Sequence, residues 1–138
     1  MRVTCIGSTG AALPGSCLDA RIGITRDTNF PLTVAAQYVV YAITTFHGHS
    51  WYYVFDDDEL AYPVWMLAPL FEISEPSLPP DWIIGYVRRD LQEEGFPCIS
   101  FPEWALDHYF YERLVDGDPS AVSTFRVRRT SAERNAPS

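Results

Sequence analysis

The chain has 138 residues, 47% of them hydrophobic and 14% aromatic, and a formal net charge of −8. That length and apolar content suit one domain with a real core. No run of about 18 apolar residues is present, so no membrane-crossing helix is expected, and the acidity argues against a nucleic-acid-binding surface.

The elements follow in chain order. "RVTCI" (residues 2–6) reads as a short strand, and the Gly-, Ser- and Thr-rich stretch to Phe30 as loop. "QYVVYAITTF" is β-branched and aromatic on both alternating faces, which predicts one strand covered on both sides. "HGHS" is a turn around Gly48, "WYYVF" a second strand, and Asp56, Asp57, Asp58 and Glu59 form the next turn. "YPVWM" is a third strand with Pro63 at its start. "APLFEI" is a tight turn into a strand, "SEPSLPPDW" a proline-rich connector, and "WIIGYV" one more strand. Short strands and tight turns over residues 32–87 predict a small antiparallel barrel.

Beyond Val87 the period changes. "RRDLQEEG" is read as a helical turn or two. A helix is expected from Ser100, with Ser100 and Glu103 at capping-box spacing and Pro102 in the first turn. Trp104, His108, Tyr111 and Val115 fall on one stripe, and Gly117 ends the helix. A second short helix starts with Asp118 as N-cap and Pro119 at its first position. The expected organisation is a single domain over residues 1–130, with the helical cap at about 100–130 and a frayed tail at 131–138. The fold class is mainly β (α+β).

Charge is unevenly placed. The chain has no lysine, and no cation falls between Arg26 and Arg88. That interval holds eight acids: Asp27, Asp56, Asp57, Asp58, Glu59, Glu72, Glu75 and Asp81. The expected result is a negative surface that attracts a basic partner. "MRVTCIGSTGAALPG" lacks the apolar segment of a signal peptide, so a cytoplasmic location is expected. Cys5, Cys17 and Cys98 are an odd, widely spaced set, read as buried free thiols.

No residue pattern spells out a reaction. The four consecutive acids miss the alternating ligands and glycine of a calcium loop. His47 and His49 bracket Gly48 without a third ligand near in sequence, and His108 reads as a packing histidine. No nucleophile elbow or phosphate-binding loop is present. No metal, cofactor or catalytic residue is therefore expected. The candidate partner-binding set is Asp56, Asp57, Asp58 and Glu59 with the aromatics Trp51, Tyr53, Tyr62 and Trp65. On this reading, neutralising the four acids keeps or raises thermal stability and slows association with the partner.

The stretch with "VYA", a Gly turn, "WYYV", "DDD", "APLFE" and "LPPDW", roughly residues 33–82, resembles SH3-like small barrels of bacterial proteins. Some of those resemble immunity proteins that neutralise polymorphic toxins. The resemblance implies a non-enzymatic protein that binds a cognate, basic toxin. An SH3-like adaptor for proteins or peptides is the alternative, and a small metal-dependent enzyme the second.

Overall fold

Eight strands and three α-helices are present among the described residues of a computed structural model, which covers residues 1–88, 90–92 and 94–134. The fold is mixed α+β and mostly β. Arg2–Cys5 (β1), Gln37–Val39 (β2), Ala42–Phe46 (β3), His49–Val54 (β4), Val64–Leu67 (β5), Phe71–Glu75 (β6), Ile83–Val87 (β7) and Phe96–Ser100 (β8) form two antiparallel sheets. One runs β2-β1-β6 and the other β5-β4-β3-β8-β7.

The chain passes between the sheets three times, at two tight corners and once through the proline-rich connector 76–82. The single strand expected over "QYVVYAITTF" is divided at Val40–Tyr41, so β2 belongs to the small sheet and β3 to the large one. Val40 and Tyr41 are both buried, one in each of two cores. The second corner is a 3-10 turn, Ala68–Leu70, between β5 and β6. Strands that change sheet at a bend let two sheets share one chain without a long connection. The first core lies between the sheets and includes Val3, Val54, Leu67 and Leu70. The loop expected before Phe30 closes it with three 3-10 turns, and Leu13 and Cys17 reach inward from there.

The second core lies between the large sheet and the helices. Pro102–Ala105 (α1), Phe110–Val115 (α2) and Pro119–Arg134 (α3) replace the two short helices expected from sequence. Ser100 does not cap a helix. It ends β8, and its hydroxyl donates to the Tyr41 carbonyl at 2.7 Å. The helix expected from Ser100 to Gly117 breaks at residues 106–109. There the Asp107 carboxylate accepts the Tyr109 N–H at 2.9 Å, a local turn that competes with the helical ladder. Asp118 caps α3 as expected, accepting the Ala121 N–H at 3.0 Å. α3 runs to Arg134, so residues 131–134 are helix and not frayed tail; 135–138 lie outside the described residues.

The expected helical turn at "RRDLQEEG" is instead an Asp90-capped turn, with Arg89 and Glu93 outside the described residues. β8 has no counterpart among the expected strands, and Pro97 within it runs against the usual place of proline in a sheet. Pro97 is tolerated because the β3–β8 pairing covers only Ile99 and Cys98. Its carbonyl accepts the Thr44 hydroxyl at 2.8 Å.

Tertiary structure also supplies the cation that residues 27–87 lack. Arg128 on α3 pairs with Asp81 in the proline-rich connector and with Glu103 on α1. Its guanidinium lies 5.3 Å from the Phe101 ring centre. This cluster joins three segments far apart in the chain, and Asp81 is not an unpartnered charge.

Candidate functional site

Tyr53 on β4 stands opposite Trp65 on β5, whereas Trp51 packs against the first core and lines another cleft, meeting the groove through Trp65. On the Tyr53 face of the large sheet, α1 and α2 leave a groove of about 460 Å³. Its floor holds Tyr53, Trp104 and Cys98; Phe46, Phe96, Trp65 and Tyr111 wall it; Asp107, Glu112 and Asp116 also line it. Such a concave aromatic site with a few polar groups is the usual form of a binding site.

The aromatic packing is continuous. Tyr53 meets Trp104 and Tyr111 with ring centres 4.9 Å apart in both cases. Trp104 stacks on Tyr111 at 5.5 Å. Trp65 contacts Trp51 at 5.2 Å and Phe46 at 5.6 Å. Trp65 stands on an edge strand and is 41% exposed, whereas Tyr53 is 6% exposed. The Tyr111 hydroxyl donates to the Pro63 carbonyl at 2.8 Å. Burial pushes the Tyr111 phenol up to about 12, with a smaller contribution from Tyr62. Burial likewise pushes the Cys98 thiol up to about 12, so it is protonated and unreactive at neutral pH.

The helical stripe of Trp104, His108, Tyr111 and Val115 is brought to one place, and all four line the groove. His108 differs from its expected packing role. It is exposed in the break between α1 and α2, and its Nδ1 accepts the Arg88 N–H at 2.7 Å. Asp107 pairs with Arg113 at 2.7 Å. Among the described residues, no arginine lines the groove.

The acidic loop lies apart from the groove and faces a second cleft of about 530 Å³. Asp56, Asp57 and Glu59 line it with Tyr38, Phe55 and Arg129. The sequence-predicted partner set is thus divided, with Tyr53 and Trp65 at one site and the acids at another. Trp51 supports Trp65, and Tyr62 contacts Tyr111 at 6.4 Å.

Two of the acids hold the loop itself. Asp57 accepts the Thr33 hydroxyl at 2.6 Å and the Tyr38 hydroxyl at 2.7 Å. Asp56 is buried, and its Oδ1 accepts the Asp58 N–H at 3.0 Å. The two positions are therefore expected to respond oppositely, whereas the sequence alone predicts that neutralising all four acids keeps or raises stability. Asp57→Ala removes two hydrogen bonds to a carboxylate, one of them from the buried Tyr38, and is expected to cost about 2–3 kcal/mol in urea unfolding.

For Asp56, burial raises the carboxyl pKa and the Asp58 and Asp57 charges add to it, against the bond from the Asp58 N–H. The folded state then keeps the proton to higher pH than the unfolded state. This group's contribution to stability falls as pH rises through the folded-state value, and its full penalty is present at neutral pH. Asp56→Asn keeps an acceptor for the Asp58 N–H and is expected to raise Tm at pH 7. The gain should shrink as pH is lowered through the carboxylate range, as thermal melts of variant and parent would show.

His47 and His49 line a third cleft with Cys17 and Trp51. His47 has a positive φ of 51° next to Gly48 at 76°, a tight turn as expected. The fold brings Cys17 Sγ to 3.6 Å from His49 Nδ1, a contact across 32 residues that sequence spacing did not signal. Among the described residues, no group of three or more His, Cys, Asp or Glu side chains is placed to hold a metal ion. No helix among them is long and apolar enough to cross a membrane.

Sequence reading missed Phe46, Phe96, Asp107, Glu112 and Asp116 as site residues. For Asp107, Glu112 and Asp116 the signal was their place beside the helical stripe, and for Phe46 its place just before the Gly48 turn. Comparisons with protein-family models, with curated proteins and with solved structures gave no match for this chain.

Proposed function

We propose that this protein is a non-enzymatic binding protein of the immunity type, which docks a basic protein partner, a toxin, on its acidic and aromatic surface. The observation that carries this reading is the groove, where the exposed Trp65 stands over buried aromatics beside Asp107, Glu112 and Asp116. Aromatic anchors in a concave site slow release, and acids nearby speed encounter with a positive partner. The resemblance of residues 33–82 to SH3-like barrels belongs with this proposal, as does a cytoplasmic location. The acidic loop takes a supporting role, adding to the negative field through Asp58 and Glu59.

Co-expression with the product of a neighbouring gene tests it. A basic protein should co-purify, and its association rate should fall about tenfold or more between low and physiological salt. Association that is insensitive both to salt and to the groove variants described below would reject this docking mode. The Cys17–His49 contact favours a chemical role instead. Retention of partner neutralisation by His49→Ala would rule that role out as the basis of activity.

A further inference from the structure

The three cysteines are all buried and free, but their thiols meet different chemistry. Cys98 belongs to the second core, and burial pushes it up to about 12. Cys5 belongs to the first core. Burial pushes its thiol up as well, and it donates to the Gly7 carbonyl at 3.3 Å, an acceptor that does not take the proton. Cys17 instead meets a base. Its Sγ lies 3.6 Å from Nδ1 of His49, a nucleophile beside a group that can accept its proton.

Both partners are held by backbone. Cys17 ends the 3-10 turn Gly15–Cys17, and its N–H donates to the Pro14 carbonyl at 2.9 Å. His49 starts β4 opposite Phe46 on β3, straight after the tight turn at His47 and Gly48. The pair lies on the wall of a cleft of about 890 Å³. Among the described residues, the other charged or titratable side chains lining that cleft are Asp19, Arg21 and His47. Asp19 and Arg21 bond each other at 3.0 Å, which leaves the His49 ring as the base at the thiol. Cys17 is 6% exposed, so a small, uncharged reactant reaches its sulfur and a bulky one does not.

We infer that Cys17 is a modification site, a thiol that hydrogen peroxide oxidises with His49 as its base. With Nδ1 unprotonated, the ring takes the thiol proton as the sulfur attacks one peroxide oxygen. The S–O bond forms and the O–O bond breaks. The departing hydroxide collects the proton from the imidazolium and leaves as water. Sulfur gives up an electron pair, peroxide takes it, and the product is a sulfenic acid. The site is separate from the groove and does not rest on the docking function.

Hydrogen peroxide itself is the probe. Native protein is exposed to it for set times, the reaction is stopped with catalase, and the chain is then unfolded and its remaining thiols alkylated. Peptide fragmentation in a mass spectrometer reads the three cysteines separately. Cys17 is expected to lose its free thiol at least about tenfold faster than Cys5 or Cys98. His49→Ala should slow Cys17 by at least about tenfold at neutral pH. The gap should close at alkaline pH, where a thiol ionises unaided. Cys5 and Cys98 should stay as protected in the variant as in the parent, which shows that the fold is intact. His49→Gln, which keeps a polar side chain at the start of β4, should behave in the same way and covers the case in which alanine loosens the turn. Equal rates at all three cysteines would overturn the site. A fast Cys17 that is indifferent to both variants, or a gap that persists at alkaline pH, would overturn His49 as its base.

Discussion

Gly85→Ala is expected to cost at least about 3 kcal/mol, a large share of the roughly 5–15 kcal/mol that holds a domain of this size. Gly85 lies in the middle of β7, opposite Cys98 on β8. A Cβ placed there would stand 1.7 Å from the Ala105 carbonyl oxygen and 2.6 Å from its carbonyl carbon. Those are backbone atoms of α1, and no side-chain rotation relieves the overlap. The helix must move away from the sheet, and it carries Trp104 with it. Trp104 packs on Tyr53 at 4.9 Å and on Phe101 at 5.9 Å, so the shift would open the second core and the groove floor together. Ile84→Ala, one residue away, is the control. Ile84 is 68% exposed and its loss should stay within about 0.5 kcal/mol. Urea midpoints of the two variants test this directly. A midpoint for Gly85→Ala close to the parent's would mean that α1 is free to slide on β7, and the groove could not then be a preformed site.

Trp65→Ala is expected to weaken partner binding about thirtyfold while the protein stays folded. A central aromatic anchor contributes about 2 kcal/mol or more in a protein interface, and each 1.4 kcal/mol is tenfold in Kd. On the proposed docking mode the indole belongs to the docking face more than to the core. It stands on edge strand β5 and is 41% exposed, and its contacts are to Trp51, Tyr53 and Phe46. Stability should fall by about 1–2 kcal/mol, the scale for partial loss of aromatic packing. The loss of affinity should appear in the dissociation rate, because truncating an apolar anchor leaves long-range charge unchanged. Neutralising Glu112 and Asp116 should act on the association rate as well. Surface-bound partner and flowing variants separate the two rates. An unchanged dissociation rate for Trp65→Ala would move the interface away from the groove.

The sequence by itself determined most of the strands, because alternation and turn chemistry are local. Gly48 and Pro63 marked their turn and strand start, and Asp118 with Pro119 marked the start of α3. It also placed Trp104, His108, Tyr111 and Val115 on one face, which survives the break at 106–109.

What it did not determine depended on partners distant in the chain. β8 forms because β3 and β7 flank it, against the local signal of Pro97. Asp57 reads as one of four equivalent charges until Thr33 and Tyr38 are brought to it, 24 and 19 residues away. Asp81 reads as an unpaired acid until Arg128 arrives from 47 residues beyond it. The groove depends on the same kind of long-range placement. Tyr53 and Trp65 belong to the sheet and Asp107, Glu112 and Asp116 to the helical segment, and only the packing of α1 on β7 at Gly85 puts them around one space. Periodicity reports which way a side chain faces along its own element. Which element stands opposite is set by burial of the two faces together, and that is decided only when the chain folds.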